Sequence, residues 1–287
     1  MDAPRALLSR RPALPADNAE ARAALYAGEV FLTPPTRASL ALADEVSGLL
    51  EDALGPAPRL AQHRLSDADF FQRIGAARRT LFTDERFIAA TREVAVSAGF
   101  DPSEFAFDPV RLRTVLDGGD REPRARAVYY PHRDIWYGHP ASLIVWWIPL
   151  DALAPDETFV LYPDRLDVPV PNDSEVFDYD AWVAAGYDLR IGWQDRESGL
   201  TARYPGVVGD VDPGRAIGFG CERADNLVFA GAHFHRTLPQ RSGRTRFSLD
   251  FRVVHLGDLA AGRGAPSVDD RSRGCAVPHY VQPEARG

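Results

Sequence analysis

The sequence predicts a mainly β fold, a sandwich or barrel, under a cover of α-helices. Three observations point to it. The first hundred residues carry apolar side chains at helical spacing between start and stop signals. From about Phe105 onward the spacing changes to period two, the signature of strands. The residues suited to chemistry then fall on widely separated segments of that second half, and a closed or layered β structure brings such segments together.

The helices come first. Thr36 reads as an N-cap, and Leu40, Leu42, Val46, Leu49, Leu50 and Leu54 follow at helical spacing until Gly55-Pro56 stops them. Ser66-Asp67-Ala68-Asp69 opens a second helix, with Phe70, Ile74 and Leu81 along one face. Thr83 opens a third that runs to Ser97, with Gly99 past its end. All three are expected to pack on a sheet and to carry no chemistry.

The strands follow. Val110 to Val115 alternates, and so does Arg126 to Tyr130. Ser142 to Ile148 is a continuous apolar run ended by Pro149, which predicts a strand buried on both faces, with Trp146 and Trp147 in the core. Residues 154–214 are rich in Pro, Asp, Gly and aromatics, and a connection that long needs a purpose. We read them as an insertion with a short helix at Asp178 to Trp182, in which Trp182, Tyr187, Trp193 and Tyr204 form a lid or substrate wall. Leu227 to Phe229 and Phe247 to Val254 are further strands. The expected division is a helical cover over 1–104, a β core over 105–257 interrupted by the insertion, and a polar tail over 258–287.

Composition narrows the function. With 287 residues, 45% of them hydrophobic, the chain can bury one large core or two small ones. A net charge of -8 without runs of like charge speaks against nucleic acid. There is neither a membrane-length apolar stretch nor a signal-peptide core, so a soluble, cytoplasmic protein acting on a small molecule is expected, away from membranes. Nothing in the sequence indicates an oligomeric state. Cys221 and Cys275 lack metal-ligand spacing and read as two reduced thiols. Every basic residue is arginine; the absence of lysine excludes a P-loop, a lysine Schiff base, a Ser-Lys dyad and kinase chemistry. Gly218-Phe219-Gly220 lacks the third glycine of a dinucleotide fingerprint, and no Gly-x-Ser-x-Gly elbow is present.

The chemistry concentrates elsewhere. In Tyr130-Pro131-His132-Arg133-Asp134 an imidazole and a carboxylate stand two residues apart, on one face of a strand. A distant histidine completes a 2-His-1-carboxylate set, the ligand set of non-heme Fe(II) oxygenases. His233 and His235 are also two apart, so strand parity does not choose between them. The turn-rich segment Pro239 to Gly243 is expected to return the chain as an antiparallel strand beside His235, with Arg246 and Ser248 on one face. An arginine there can hold the far carboxylate of a 2-oxo acid through two parallel hydrogen bonds. Arg113, Arg126, Tyr129, Trp136, Tyr137 and His233 adjoin these segments as candidate substrate contacts, and His139 as a residue that covers the site.

His132, Asp134, His235, Arg246 and Ser248, in that order and separation, resemble the motif of the phytanoyl-CoA dioxygenase-like branch of the Fe(II)/2-oxoglutarate-dependent oxygenases, over roughly 105–254. The resemblance implies a double-stranded β-helix core of the jelly-roll, cupin-like kind. It implies Fe(II) on His132, Asp134 and His235, with 2-oxoglutarate and O2 as cosubstrates. Arg246 would take the distal carboxylate, with Thr237 or Ser248 adding a hydroxyl. The implied reaction is oxidation of an unactivated C–H bond of a small molecule in specialised metabolism, by hydroxylation, desaturation or cyclisation. Related halogenases leave the carboxylate position empty, so Asp134 argues against halogenation. Two rivals stand beside this expectation: a cupin-like metalloenzyme that does not use 2-oxoglutarate, and a metal-free β-barrel binding protein.

Overall fold

Capping decides where the helices start. The structure is a computed structural model that describes residues 8–121, 126–186 and 204–283, the side chains of 126 and 127 excepted. Helix α1 spans Asn18–Tyr26, α2 Arg37–Leu54, α3 Asp67–Thr83 and α4 Glu85–Ser97. The Thr36 hydroxyl accepts from Ser39 N–H at 3.1 Å while the Ser39 hydroxyl accepts from Thr36 N–H at 2.9 Å, a reciprocal cap for α2. Ser66 caps α3. Thr83 is the last residue of α3 and Asp84 caps α4, so the third start signal lies one residue later than expected.

Nine strands form among the described residues, four of them on segments that the sequence pattern marks. They are β1 (Leu8–Arg10), β2 (Val30–Thr33), β3 (Phe105–Phe107), β4 (Arg111–Val115), β5 (Leu143–Pro149), β6 (Phe159–Leu161), β7 (Asn226–Ala230), β8 (His235–Thr237) and β9 (Arg246–His255). The two short helices α5 (Tyr179–Ala184) and α6 (Leu256–Ala260) complete the chain. Seven strands form a mainly antiparallel sheet in the order β1-β2-β7-β5-β9, with β3 and β4 sharing the outer edge of β9; only β1 and β2 run parallel. β6 and β8 form a second, antiparallel pair, extended by bridges from Leu161 to Ile217 and from His235 to His132.

Strand parity divides the large sheet into two faces. Phe31, Ile144, Trp146, Ile148, Val228, Phe247, Leu249, Phe251 and Val253 join one core with the apolar faces of α2, α3 and α4. Trp146 stacks on Phe251 at 5.6 Å and 11° within it. Leu32, Val145, Trp147, Leu227 and Phe229 point the other way and pack with Phe159 and Leu161 of the small sheet. The result is a mixed helix and strand architecture in three layers. No described helix is long and apolar enough to cross a membrane.

The structure differs from the expectation in three places. The N-terminal region is not helix alone, because β1 and β2 pair into the large sheet. Residues Arg126–Tyr129 form a 3-10 turn instead of a strand. They pair with no described strand, and Pro131 has no N–H to donate to a ladder. The segment after His255 is not a loose polar tail. Asp269 accepts from Arg133 Nε at 3.0 Å, Trp136 Nε1 at 2.8 Å and Val170 N–H at 2.9 Å, all buried. Val281 pairs with Phe107. The tail is a strap across the segment that carries His132 and Asp134.

Removing one member of a buried ion pair strands the other charge. Asp269→Ala should therefore destabilise the fold by about 3–5 kcal/mol in urea unfolding, and a change below about 1 kcal/mol would show that Arg133 finds other compensation.

Candidate metal centre

The chain brings His132, Asp134 and His235 together although 103 residues separate the first from the last. One ligand atom from each lies within 4.8 Å of the others, a set able to hold a metal ion. The two histidines exchange backbone hydrogen bonds at 3.0 Å in each direction, and their rings sit 4.4 Å apart. Asp134 is the first residue of a 3-10 turn, Asp134–Tyr137, so helical winding rather than a continuing strand sets its direction. Arg133, between the ligands, points away to Asp269 and is fully buried there. Gly138 then turns the chain with a φ of +71°, and a Cβ there would meet the Tyr179 Cβ at 2.8 Å.

Backbone carbonyls set both tautomers. His132 Nδ1 lies 2.8 Å from the Tyr130 carbonyl and His235 Nδ1 lies 2.9 Å from the His233 carbonyl. A carbonyl only accepts, so each Nδ1 carries the proton and each Nε2 keeps its lone pair. Burial, then the neighbouring His235, pushes His132 down to about 4, so it is a neutral donor at pH 7. Burial raises the Asp134 carboxyl, but the Arg252 charge and its hydrogen bond outweigh it and hold the group well below the usual carboxylate range. Two imidazoles and one carboxylate suit a divalent first-row metal, and the set leaves coordination positions open. His235 Nε2 and Asp134 Oδ2 are 3.8 Å apart, and Asp134 Oδ1 is committed to Arg252 Nη2 at 2.8 Å.

Arg252 was not singled out from the sequence. Strand β9 carries Arg246, Ser248, Asp250 and Arg252 on one face against Phe247, Leu249, Phe251 and Val253 on the other. That alternation was legible as a polar stripe on a buried strand. Arg252 also pairs with Asp108 at 3.1 Å, and Arg113 grips Asp250 with two hydrogen bonds of 2.7 Å. Asp108 lies between β3 and β4 and accepts the Arg252 backbone N–H at 2.5 Å.

The ligands open onto a cavity of about 260 Å³. Arg246 lines it. The Arg246 side chain is buried; its Nη1 donates to the Thr158 carbonyl at 2.9 Å, its Nε has no hydrogen-bond partner, and it makes no ion pair among the described residues. Burial pushes its guanidinium down to about 10. Thr237 lines the same cavity, and the buried Ser248 hydroxyl, two residues along β9 from Arg246, has no partner among the described residues. Arg246 and Ser248 are not on a strand beside His235. β8 belongs to the small sheet and β9 to the large one, and the turn between them carries the chain across.

The remaining candidates divide. Arg113 and Tyr137 line the cavity, and Tyr137 lies edge-on to His132 at 5.6 Å. Trp136 turns to the core against Phe234 and Asp269, so it makes no substrate contact. Tyr129 is buried and its hydroxyl donates to the Leu116 carbonyl. His233 is wholly buried against Phe229, both ring nitrogens are without partners among the described residues, and burial pushes it down to about 3; it is a core histidine. The Arg126 side chain, Tyr187 and Trp193 lie outside the described residues. His139 lines the cavity and shares a 3.0 Å hydrogen bond with Tyr280 of the strap. Trp147 also lines the cavity, against the expectation that both tryptophans of β5 serve the core alone.

No family model matches the chain, and no curated protein does. Solved structures do. EvdO2 from Micromonospora carbonacea var. aurantiaca is 15% identical over 62% of this chain and 65% of its own, with a TM-score of 0.39. The chain thus spans just under two thirds of EvdO2. AviO1 from Streptomyces viridochromogenes Tue57 is 14% identical over 84% of this chain and 96% of its own, at 0.41. The non-heme alpha ketoglutarate dependent epimerase SnoN from nogalamycin biosynthesis is 13% identical over 76% and 83%, at 0.35. Likeness this distant says nothing about what the chain does.

Arg252 orients Asp134, and outer partners of this kind are worth about 10–100-fold in metal affinity. Arg252→Met should weaken Co(II) binding by about that factor while a thermal melt still shows a cooperative transition; unchanged affinity would remove Arg252 from the site.

Proposed function

We propose that this chain is an Fe(II)/2-oxoglutarate-dependent oxygenase acting on a small molecule in specialised metabolism. One observation carries the reading: a buried arginine without a carboxylate partner among the described residues, Arg246, shares a cavity with a His-Asp-His set. A guanidinium removed from water is costly unless an anion meets it. A 2-oxo acid chelated at one end by a metal would present its far carboxylate to such a group. We read the two facing sheets, Ile217–β6–β8–His132 against the large one, as a double-stranded β-helix of the jelly-roll, cupin-like kind.

In this reading His132, Asp134 and His235 hold Fe(II). Arg246 takes the distal carboxylate of 2-oxoglutarate, with the Thr237 and Ser248 hydroxyls beside it. When bound, the iron and its cosubstrates O2 and 2-oxoglutarate supply the oxidising power for attack on an unactivated C–H bond, by hydroxylation, desaturation or cyclisation. The protein supplies position and dryness. His132 and His235 are locked in rotation by their Nδ1 hydrogen bonds, and Asp134 by Arg252. Phe159 and Phe229 pack on the His235 ring at 5.7 and 5.6 Å and exclude water from that side. Phe177, Tyr179, Trp182 and Tyr204 of the insertion line the same cavity and pack with Tyr137. A cupin-like enzyme without 2-oxoglutarate would need no unpaired Arg246, and a metal-free binding protein would need no matched pair of Nε2 lone pairs.

The deciding experiment adds Fe(II) and then 2-oxoglutarate anaerobically and looks for a visible charge-transfer band, followed by succinate production in air. Arg246→Ala should lose the band at cosubstrate concentrations that saturate the parent and lower succinate formation at least about 100-fold, a loss equivalent to roughly 3 kcal/mol of charge-assisted binding. Undiminished turnover would favour the cupin-like alternative. Replacing Tyr204 by Ala should leave Co(II) affinity within about twofold and lower substrate-dependent succinate formation about tenfold or more, the effect of a lost wall on positioning. Equal loss of both would place Tyr204 in the fold rather than the wall.

A further inference from the structure

Among the described residues, His132, His139 and His235 line the cavity, and the metal set uses the first and the last. His139 is left over. It lies two residues past the Asp134–Tyr137 turn, so the backbone that carries the Asp134 ligand also carries this ring. The C-terminal strap clamps the residue between them. Gly138 N–H donates to the Ser272 hydroxyl at 3.0 Å, and Ala276 N–H donates to the Gly138 carbonyl at 2.9 Å. Tyr280 of the strap then meets the ring itself, its hydroxyl 3.0 Å from His139 Nδ1. The Tyr179 and Tyr280 rings pack on the imidazole at 5.7 and 6.0 Å.

The Tyr280 bond sets the tautomer. Tyr280 is buried, and burial raises its hydroxyl well above the ordinary phenol range, so the proton stays on oxygen. Its hydroxyl meets no acceptor other than His139 Nδ1 among the described residues. Nδ1 therefore accepts, and the imidazole's own proton sits on Nε2. Burial first, then the Arg252 charge, holds His139 well below the ordinary imidazole range, so it is neutral at pH 7. His132 and His235 have the opposite tautomer, with Nδ1 donating to a backbone carbonyl. One ring type thus supplies two metal ligands and one N–H donor. His139 Nε2 has no hydrogen-bond partner among the described residues, and unlike both nitrogens of His233 it is not sealed from solvent. Because the residue is otherwise buried and lines the cavity, that N–H opens into it. Tyr137, two residues earlier, brings a hydroxyl to the same cavity, and burial keeps it protonated.

We infer that His139 is a substrate-recognition residue, and that the substrate presents an uncharged oxygen acceptor, that of a carbonyl, ether or hydroxyl, to its Nε2–H. This names a substrate class for the oxygenase reading and rests on that reading for the chemistry. A hydrocarbon in the cavity would leave the donor unmet, and a site built to hydrogen-bond an oxygen rejects the analogue that lacks it. A carboxylate fits less well, because a neutral imidazole brings no charge to compensate it. Tyr280 is a positioning residue: it keeps His139 in the donor form from outside the cavity lining.

The test uses the full-length chain, loaded with Zn(II) and carrying isotope-labelled histidine, in long-range proton–nitrogen correlation spectra. Resonances that vanish in His139→Gln belong to His139. They should show a protonated Nε2 and a bare Nδ1, the reverse of His132 and His235, and Tyr280→Phe should let both tautomers appear. A protonated Nδ1 in the parent overturns the inference. The same resonances are then followed while matched probes are added: acetophenone against α-methylstyrene, cyclohexanone against methylenecyclohexane, and benzoate as the charged probe. In at least one pair the ketone should shift Nε2 and bind about tenfold more tightly than the alkene, the worth of one hydrogen bond. That preference should fall to within about twofold in His139→Phe and return in part in His139→Gln, whose amide keeps an N–H donor. Tyr280→Phe should lose part of it while alkene affinity stays within about twofold, and this variant decides the outcome if His139→Phe fails to fold. No ketone preference in either pair, a preference undiminished in the variants, or benzoate binding more tightly than acetophenone overturns the inference. Failure of 2-oxoglutarate to bind the parent, with the ketone preference intact, would sink the oxygenase reading and leave the role of His139 standing.

Discussion

Arg252 Nη2 donates to Asp134 Oδ1 at 2.8 Å with both side chains almost out of contact with solvent. That bond joins the large sheet to the ligand-bearing segment, and the geometry of the site follows from it. It ties up one oxygen of the carboxylate and leaves Oδ2 for the shared centre with His235 and His132. Arg252 can do this only because Asp108 and Asp250 compensate the rest of its charge in the same low-dielectric space. Asp108 sits where β3 breaks from β4 along the edge of β9, and its carboxylate accepts the Arg252 N–H there.

Strand β9 therefore serves two environments. Its odd-numbered residues from Phe247 to Val253 fill the helix-facing core, and its even-numbered ones from Arg246 to Arg252 line the charged side. A slip of one residue would exchange the two sets and bury four polar groups in the apolar layer. Ten residues paired to β5 on one side and to β3 and β4 on the other make such a slip costly. The same register places Arg246 beneath Trp147, with its guanidinium carbon 5.9 Å from the ring.

The C-terminal strap acts on the same site from behind. Asp269 anchors Arg133, which lies between two of the ligands, and Tyr280 reaches His139 in the cavity lining. Residues 258–283 thus belong to the architecture of the centre although they contribute no ligand. Aromatic lining comes from the insertion and from Tyr137, while the lining arginines come from α3, β4 and β9.

Much of the local structure was written in short-range pattern. Thr36 and Ser66 marked their helices and Ser142 to Ile148 its buried strand, because capping and periodicity depend on neighbours a few residues away. The pattern at Arg126 to Tyr130 misled for the complementary reason: alternation describes a strand only if a partner is there to pair with it. The sequence by itself determined the residue types of the centre. Strand parity left His233 and His235 equivalent, because it is blind to which of two like residues faces a cavity, and the choice of His235 came from the resemblance. In the tertiary structure His233 is enclosed against Phe229 while His235 bridges to His132. The tertiary structure also decided that Arg246 lines the cavity from a different sheet than His235, and that Arg252 and the tail pack against the site. Those relations are made by contacts between residues far apart in the chain, and no local spacing encodes them.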